Sequence, residues 1–322
     1  MAMGCNCVRL LTAGLMLFAA AATLAQGFPN KVIRIVTSEA GSGNDFVARL
    51  LATGIGQGLG QQIIVENRPG NVAIQSGIVA KSVPDGHTLL LNGTSFWLLP
   101  YLQADVPYDP VRDFTAVTLA TKAPNILVVH PSVPARTVRE LINLAKARAQ
   151  DLNFAISAAG GSIHLAAELF KRMAGINVIS IRYRGPGQAL IALVGGESQI
   201  MFPSAALGMP QIKAGKLRAL AITTAQRSAL APELPTVSSA GLGGYESEAI
   251  FGVLAPARTP AAVIALLNQE MVKVLNGADA KEKLLNVGSE GVGSTAEQFS
   301  ELIKIDMAKW AKVIKEAGIK PE

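Results

Sequence analysis

The chain has 322 residues, 50% of them hydrophobic and 16% charged, with a net charge of +6 and two cysteines. That is enough apolar material for an α/β core divided between two lobes. The basic residues are dispersed, as in "KARAQ", "FKRM" and "IRYRG", with no aromatics between them, which excludes a nucleic-acid-binding stripe.

At the N-terminus Arg9 precedes the apolar run "LLTAGLMLFAAAA", and small residues lead into "TLAQG". This is the layout of a secretory signal peptide, with cleavage expected after Ala25 and a mature chain starting near Gln26. The run is short for a bilayer span. Cys5 and Cys7 both precede it, whereas a lipid-bearing cysteine would follow it, and the mature chain has no thiol for a disulfide, a metal site or nucleophilic attack.

From Gln26 onward short β-branched runs alternate with helical periodicity, the pattern of parallel sheets covered by helices. "KVIRIVT" reads as a strand, followed by a helix with Phe46, Val47, Leu50, Leu51 and Ile55 on one face. The strand "QQIIVENRPG", a helical stretch, the turn "PDG" and the strand in "HTLLLNGTS" complete a first unit. Between about 100 and 135 six prolines hold "FTAVTLAT" and "NILVVH" extended. A second series begins with the helix "VRELINLAKARAQ", entered by a capping box of Thr137 and Glu140. It continues as strand 152–157, helix 163–174, strand "NVISIRY", helix "GQALIALVGG", and the strands "SQIMF" and "LRALAIT". After "APELPTVSSAGLGGYE" come the extended "AIFGVLAPA" and two C-terminal helices. The first is expected to have Thr259 as N-cap and Pro260 at its first position, ending at Gly277; the second has Thr295 as N-cap with Gln298 three residues on. These helices have no strands of their own and are expected to pack back on the first unit. The second unit is then an insertion: a first lobe of 26–120 and 250–322, a second of 121–249, and chain crossings near 116–130 and 248–256.

Two stretches share one design. "SEAGSGND" (38–45) and "SAAGGSIH" (157–164) each carry a strand through a glycine-rich turn into a helix, which leaves backbone N–H groups unpaired at the positive end of the helix dipole. One such loop per unit, each at the C-terminal end of a strand, fits a ligand held between the units. Plainer roles stand beside this one: Ser162 as an N-cap, Asp45 as a cap or dipole partner, His164 as a hydrogen-bonding support. "GSGNDF" has Phe46 where a dinucleotide fingerprint needs glycine, and "GGSIH" is not a nucleophile elbow. His87, His130 and His164 lack metal-ligand spacing, so no metal or cofactor is expected. The competing reading is a secreted hydrolase using Ser162 and His164, two residues apart on a first helical turn, where side chains diverge.

In order along the chain, "FPNKVIRIV", "AGSGNDFVARLLA", "VENRPG", "VAKSVPDGHTLL", "VPYDPVRDF", "GGSIHLAAELF", "IRYRGPGQALIALVGGESQIMF", "GKLRALAITTAQRSALAPELPT", "GYES" and "FGVLAPARTP" resemble the Bug or TctC family, periplasmic solute-binding proteins of tripartite tricarboxylate transporters. The resemblance implies a two-lobed α/β periplasmic-binding-protein fold, type II-like, with two crossing strands and a ligand in the interlobe cleft. It implies a monomeric receptor without turnover that passes a small organic acid to integral membrane transporter subunits. By the same resemblance a ligand carboxylate is held by Gly41, Ser42, Gly43 and Asp45 of the first loop and by Ser157, Gly160, Gly161, Ser162 and His164 of the second. Tyr183, Arg184 and Gly185 would face the distal end of the ligand, and Thr94, Ser95 and Ser204 would add pocket wall. One departure stands out: where relatives carry an aromatic and apolar residues, this chain has Ser38 and Glu39. An inward Glu39 would oppose a dianion and favour a monocarboxylate with a neutral, aromatic or cationic remainder.

Overall fold

The structure is a computed structural model that describes residues 27–157, 161–316 and 318. The leader expected over 1–25, and Gly160, lie outside the described residues.

Strands β1 (Ile33–Thr37), β2 (Ile63–Asn67), β3 (Thr88–Gly93), β4 (Phe114–Pro124), β10 (Glu248–Pro256) and β11 (Glu290–Gly291) form a six-stranded sheet in the order β11-β4-β10-β3-β1-β2. β5 (Ile126–Val129), β6 (Asn153–Ile156), β7 (Ile179–Arg182), β8 (Ile200–Met201) and β9 (Arg218–Ile222) form a five-stranded sheet in the order β7-β6-β8-β5-β9. Every residue of β3, Thr-Leu-Leu-Leu-Asn-Gly, is buried, as expected of a central strand covered on both faces.

In the first lobe, helices α1 (Gly43–Leu59), α2 (Val72–Ala80) and α3 (Thr94–Leu98) follow β1, β2 and β3. α1 buries Val47, Ala48, Leu51, Ala52 and Ile55, with Phe46 and Leu50 at the margin, and stops at Gly60, whose φ of 62° a side chain would resist. In the second lobe α4 (Val138–Ala147) follows β5, while α5 (Ser162–Ala174), α6 (Pro186–Val194) and α7 (Ala205–Lys213) follow β6, β7 and β8. The capping box at Thr137 is present in the Glu140 N–H to Thr137 Oγ1 bond of 3.1 Å. α7 was not expected: Pro210 sits inside it, and β8 before it is only two residues long.

Three helices end the chain, not two. α8 (Ala261–Asn276) begins one residue later than the sequence suggested, with Pro260 as N-cap, and Thr259 Oγ1 bonds the Pro256 carbonyl instead of capping. Gly277 closes α8 in an extended conformation and is also the N-cap of α9 (Ala278–Asn286), so the glycine separates two helices where it had been read as a stop. α10 (Ala296–Glu316) opens with the reciprocal box of Thr295 and Gln298. It packs along β4 and reaches α5. Asp306 fixes it: its buried carboxylate accepts from Trp97 Nε1 of α3 at 2.7 Å and Trp310 Nε1 at 2.9 Å. Burial raises the pKa of that carboxyl, and the two indole bonds oppose the rise.

The chain crosses between the sheets at one level. β4 ends at Pro124, β5 begins at Ile126, and Asn125 between them donates its N–H to Thr223 Oγ1 and accepts the Thr223 N–H. Ser247, just before β10, donates to the Thr223 carbonyl on the return crossing.

Candidate functional site

Strand register alone brings two edges face to face. β1 pairs parallel with β2 and β3, and Gly93 at the end of β3 lies opposite Phe251 of antiparallel β10, while Pro124 lies opposite Glu248. The C-terminal ends of β1, β2 and β3 therefore lie at the edge from which β4 leaves for the second sheet. In that sheet β8 runs antiparallel to β5, and β6 and β7 run parallel to β8. Since β5 starts at the crossing, the C-terminal ends of β6, β7 and β8 lie at the edge turned toward the first lobe. The Ile126 N–H to Pro203 carbonyl bond of 2.9 Å marks that junction. The described parts of the loops after β1, β3, β6, β7 and β8 fall on these two edges.

The first-lobe loop satisfies many of its own polar groups. Ser42 caps α1, its Oγ accepting from the Asp45 N–H at 3.2 Å and paired with Ser38 Oγ at 2.9 Å. The Asp45 carboxylate turns back to accept from the Gly41 N–H at 2.9 Å, from Arg49 Nε at 3.0 Å and from Asn67 Nδ2 at 2.8 Å. Asn67 also donates to the Ser38 carbonyl and accepts from Arg49, so the end of β2 braces the loop after β1. Burial pushes the Asp45 pKa up, but the bonds from Arg49, Gly41 and Asn67 outweigh it and bring the value from 3.8 down to about 2. The Ser42 N–H goes to the Glu39 carbonyl and the Phe46 N–H to the Ser42 carbonyl. Gly43 and Asn44 keep the N–H groups without an acceptor. Glu39 is exposed, with no ion pair through its carboxylate among the described residues. Asn44 Oδ1 is buried without a hydrogen-bond partner.

At the end of β2, Asn71 caps α2 through the Ala73 N–H. At the end of β3, Thr94 is buried and its Oγ1 accepts from the Ile250 N–H at 3.4 Å, which holds β10 in place; Ser95 beside it is exposed.

The second lobe is built differently. α5 starts at Gly161, an N-cap with no side chain, so Ser162 is the first helical residue and not the cap. The Ser162 and Ile163 N–H groups have no acceptor among the described residues, and Leu165 is bonded back to Gly161. Ser157, at the end of β6, is 6% exposed, and no hydrogen bond of its hydroxyl falls among the described residues. α6 starts at Gly185 with no side-chain cap and Pro186 at its first position, leaving the Gly187 and Gln188 N–H groups open; Arg184 just before it is exposed and in no ion pair among the described residues. α7 starts at Ser204, also without a side-chain cap bond, but Gly288 of the first lobe lies against the backbone of Ala206 there and covers that start.

The remaining site residues have internal work. His164 is buried, with Nε2 3.8 Å from Glu168 Oε1, in a cluster where Glu168 also bonds Lys171 and Ser180. Burial lowers its pKa, and the Glu168 charge opposes this only in part. No hydrogen bond joins Ser162 to His164 among the described residues. Tyr183 directs its hydroxyl to Ser198 at 3.1 Å and packs its ring on the second-lobe core. Asn67, Arg49 and Asn44 were not anticipated as part of the site. The Asp45–Arg49 spacing of four on a helix was a readable signal; the partnership of Asn67, 22 residues from Asp45, was not.

A concavity of about 920 Å³ lies elsewhere, on the outer face of the first lobe between α1, α8 and α9, lined by Leu50, Gln57, Glu270, Lys273 and Asp279. No described helix is long and apolar enough to cross a membrane.

Residues 47–319 match the family model described as Tripartite tricarboxylate transporter family receptor. A protein from the tcbD-tcbE intergenic region of Pseudomonas sp. strain P51 is 35% identical over 90% of this chain and 87% of its own length. A protein of R. palustris solved with adipate superposes with a TM-score of 0.79 at 32% identity, over 92% of this chain and all of the other. The periplasmic binding protein BugD superposes with a TM-score of 0.75 at 28% identity, over 92% of this chain and all of BugD.

Proposed function

The chain belongs to the tripartite tricarboxylate transporter receptor family, and from that premise we propose that it is a periplasmic receptor that captures a small carboxylate-bearing compound between its lobes and delivers it to membrane transporter subunits. The observation that carries the reading is the pair of facing strand edges with open helix starts at Gly161 and Gly185. Free N–H groups at the positive end of a helix dipole are matched to a carboxylate, and glycine lets that carboxylate approach the backbone. The R. palustris relative solved with adipate supports a carboxylate ligand.

The site residues form three groups in this reading. Ser157, Gly161, Ser162, Arg184 and Gly185 contact the ligand anion, with Ser204 at the floor of the cleft. Ser38, Glu39, Gly43 and Ser95 line the opposite wall, while Gly41, Ser42, Asp45, Thr94, His164 and Tyr183 shape the site from behind. Closure is a population shift, driven by contacts that one ligand makes to both lobes and that neither lobe makes alone. The leader over residues 1–25 directs export, and the mature protein acts as a monomer without turnover.

Native mass spectrometry of protein purified without refolding tests this. The expected result is a monomer carrying a small organic acid whose release is slow enough to survive purification. A bound compound recovered in hydrolysed form would overturn the receptor reading in favour of the Ser162 hydrolase. Protein that neither retains an organic acid nor is stabilised by any would overturn it outright.

A further inference from the structure

The two walls of the cleft differ in the sign of what they offer. On the first-lobe wall the loop after β1 has already bound an anion, its own Asp45 carboxylate, on the Gly41 N–H. Arg49 balances that charge in an ion pair of 3.0 Å. Glu39, exposed two residues past the end of β1, has no cation to balance it among the described residues. One turn further on, Asn44 Oδ1 is a buried acceptor with no donor. A buried unpaired acceptor is costly unless something supplies an N–H or O–H. On the second-lobe wall the inventory is reversed: the N–H groups of Ser162, Ile163, Gly187 and Gln188, the Ser157 hydroxyl, and the exposed guanidinium of Arg184. Both walls keep open helix-start N–H groups, but the first adds the unbalanced carboxylate of Glu39 and the second the exposed guanidinium of Arg184.

Building on the receptor reading, we propose that Glu39 is the specificity-determining residue of the site, and that the ligand is dipolar: a carboxylate seated on the second lobe and a cationic group received by Glu39 on the first. The ligand class is then amino- or amidino-substituted carboxylic acids in preference to dicarboxylic acids. A second carboxylate would meet the uncompensated charge of Glu39, while an ammonium there gains an ion pair of which one member is already in place. At an effective dielectric between that of water and of the interior, a single contact of this kind is enough to separate the two classes by about tenfold or more.

Matched pairs that exchange one carboxylate for an ammonium at constant chain length isolate this effect. Succinate against 4-aminobutyrate, and adipate against 6-aminohexanoate, are titrated calorimetrically into the wild type, Glu39→Gln and Glu39→Lys. Circular dichroism of the free variants checks that this exposed position has not altered the fold. The expected result is that at least one amino acid binds the wild type about tenfold or more tighter than its paired diacid. Glu39→Gln removes the preference, and Glu39→Lys reverses it. Diacids that bind the wild type as tightly as their partners, or a preference unchanged in both variants, would overturn the role of Glu39 and leave the receptor reading intact. Wild type that binds no member of the four, and is stabilised by no organic acid in a wider thermal screen, overturns the receptor reading and this inference with it.

Discussion

The loops that follow β1 and β6 have nearly the same sequence logic and opposite chemistry. Both carry a strand through glycine and serine into a helix of more than ten residues. In the first, Ser42 caps the helix and Asp45 occupies the turn, so the donors at residues 41, 42, 45 and 46 are all spent within the loop. In the second, the N-cap is a glycine, and the Ser162 and Ile163 N–H groups have no partner among the described residues. The first helix start keeps only its Gly43 and Asn44 N–H groups open, and the loop's own carboxylate lies beside them. The acidic residue three positions past the N-cap sets that difference.

That contrast can be broken from either side. The largest effect is expected from giving the second loop what the first already has. Gly161 has φ −71° and ψ 159°, a conformation open to any residue, so Gly161→Asp installs a carboxylate cap on α5. Aspartate is among the best caps and glycine trails it by a few tenths of a kcal/mol. The free protein should melt slightly higher, while affinity for a carboxylate ligand falls by about a hundredfold as the new side chain takes the donors. Thermal melts and calorimetry on one preparation check both halves, and loss of stability alongside loss of affinity would mean that Gly161 is needed for the fold.

The reverse substitution, Asp45→Asn, takes the anion out of the first loop. It leaves Arg49 without its partner and weakens the bond to the Gly41 N–H, at a cost of about 1–3 kcal/mol. Because the folded state holds the Asp45 pKa at about 2, below its ordinary 3.8, the carboxylate stabilises the protein fully above about pH 4–5. That contribution is lost as the pH falls toward 2. The gap in melting temperature between wild type and Asp45→Asn should accordingly narrow from pH 5 to pH 2, and a gap that does not change with pH would show that the carboxylate's charge is not what braces the loop. A smaller effect is expected at Ser42→Ala, which removes one cap: about 1 kcal/mol of stability, with affinity altered less than threefold.

The sequence carried the contrast only in part. Alternation of strands and helices, the two boxes at Thr137 and Thr295, and the return of the C-terminal helices to β4 were readable because each depends on spacing over a few residues or on unbroken periodicity. α7 was hidden by Pro210, which normally ends a helix, and α9 by Gly277, which normally stops one. The two glycine loops were legible as a pair and were read as equivalent. What separates them is the direction taken by the Asp45 side chain, back onto the Gly41 N–H, and the brace from Asn67, which approaches through the pairing of β1 with β2. Neither is written in local spacing. Tyr183 shows the same limit: its place just after β7 was legible, and the turn of its hydroxyl toward Ser198 was not.

Hydrogen–deuterium exchange resolved to single amides reads out which N–H groups are free to take a ligand. It is measured with and without the carboxylate that stabilises the protein most in the thermal screen. The ligand should slow exchange most at Ser162, Ile163, Gly187 and Gln188, while Gly41, Ser42, Asp45 and Phe46 are slow already and change little. Strong ligand-induced protection at Gly41, Ser42 and Asp45 with none at Ser162 and Ile163 would contradict it, and would return the anion to the first lobe.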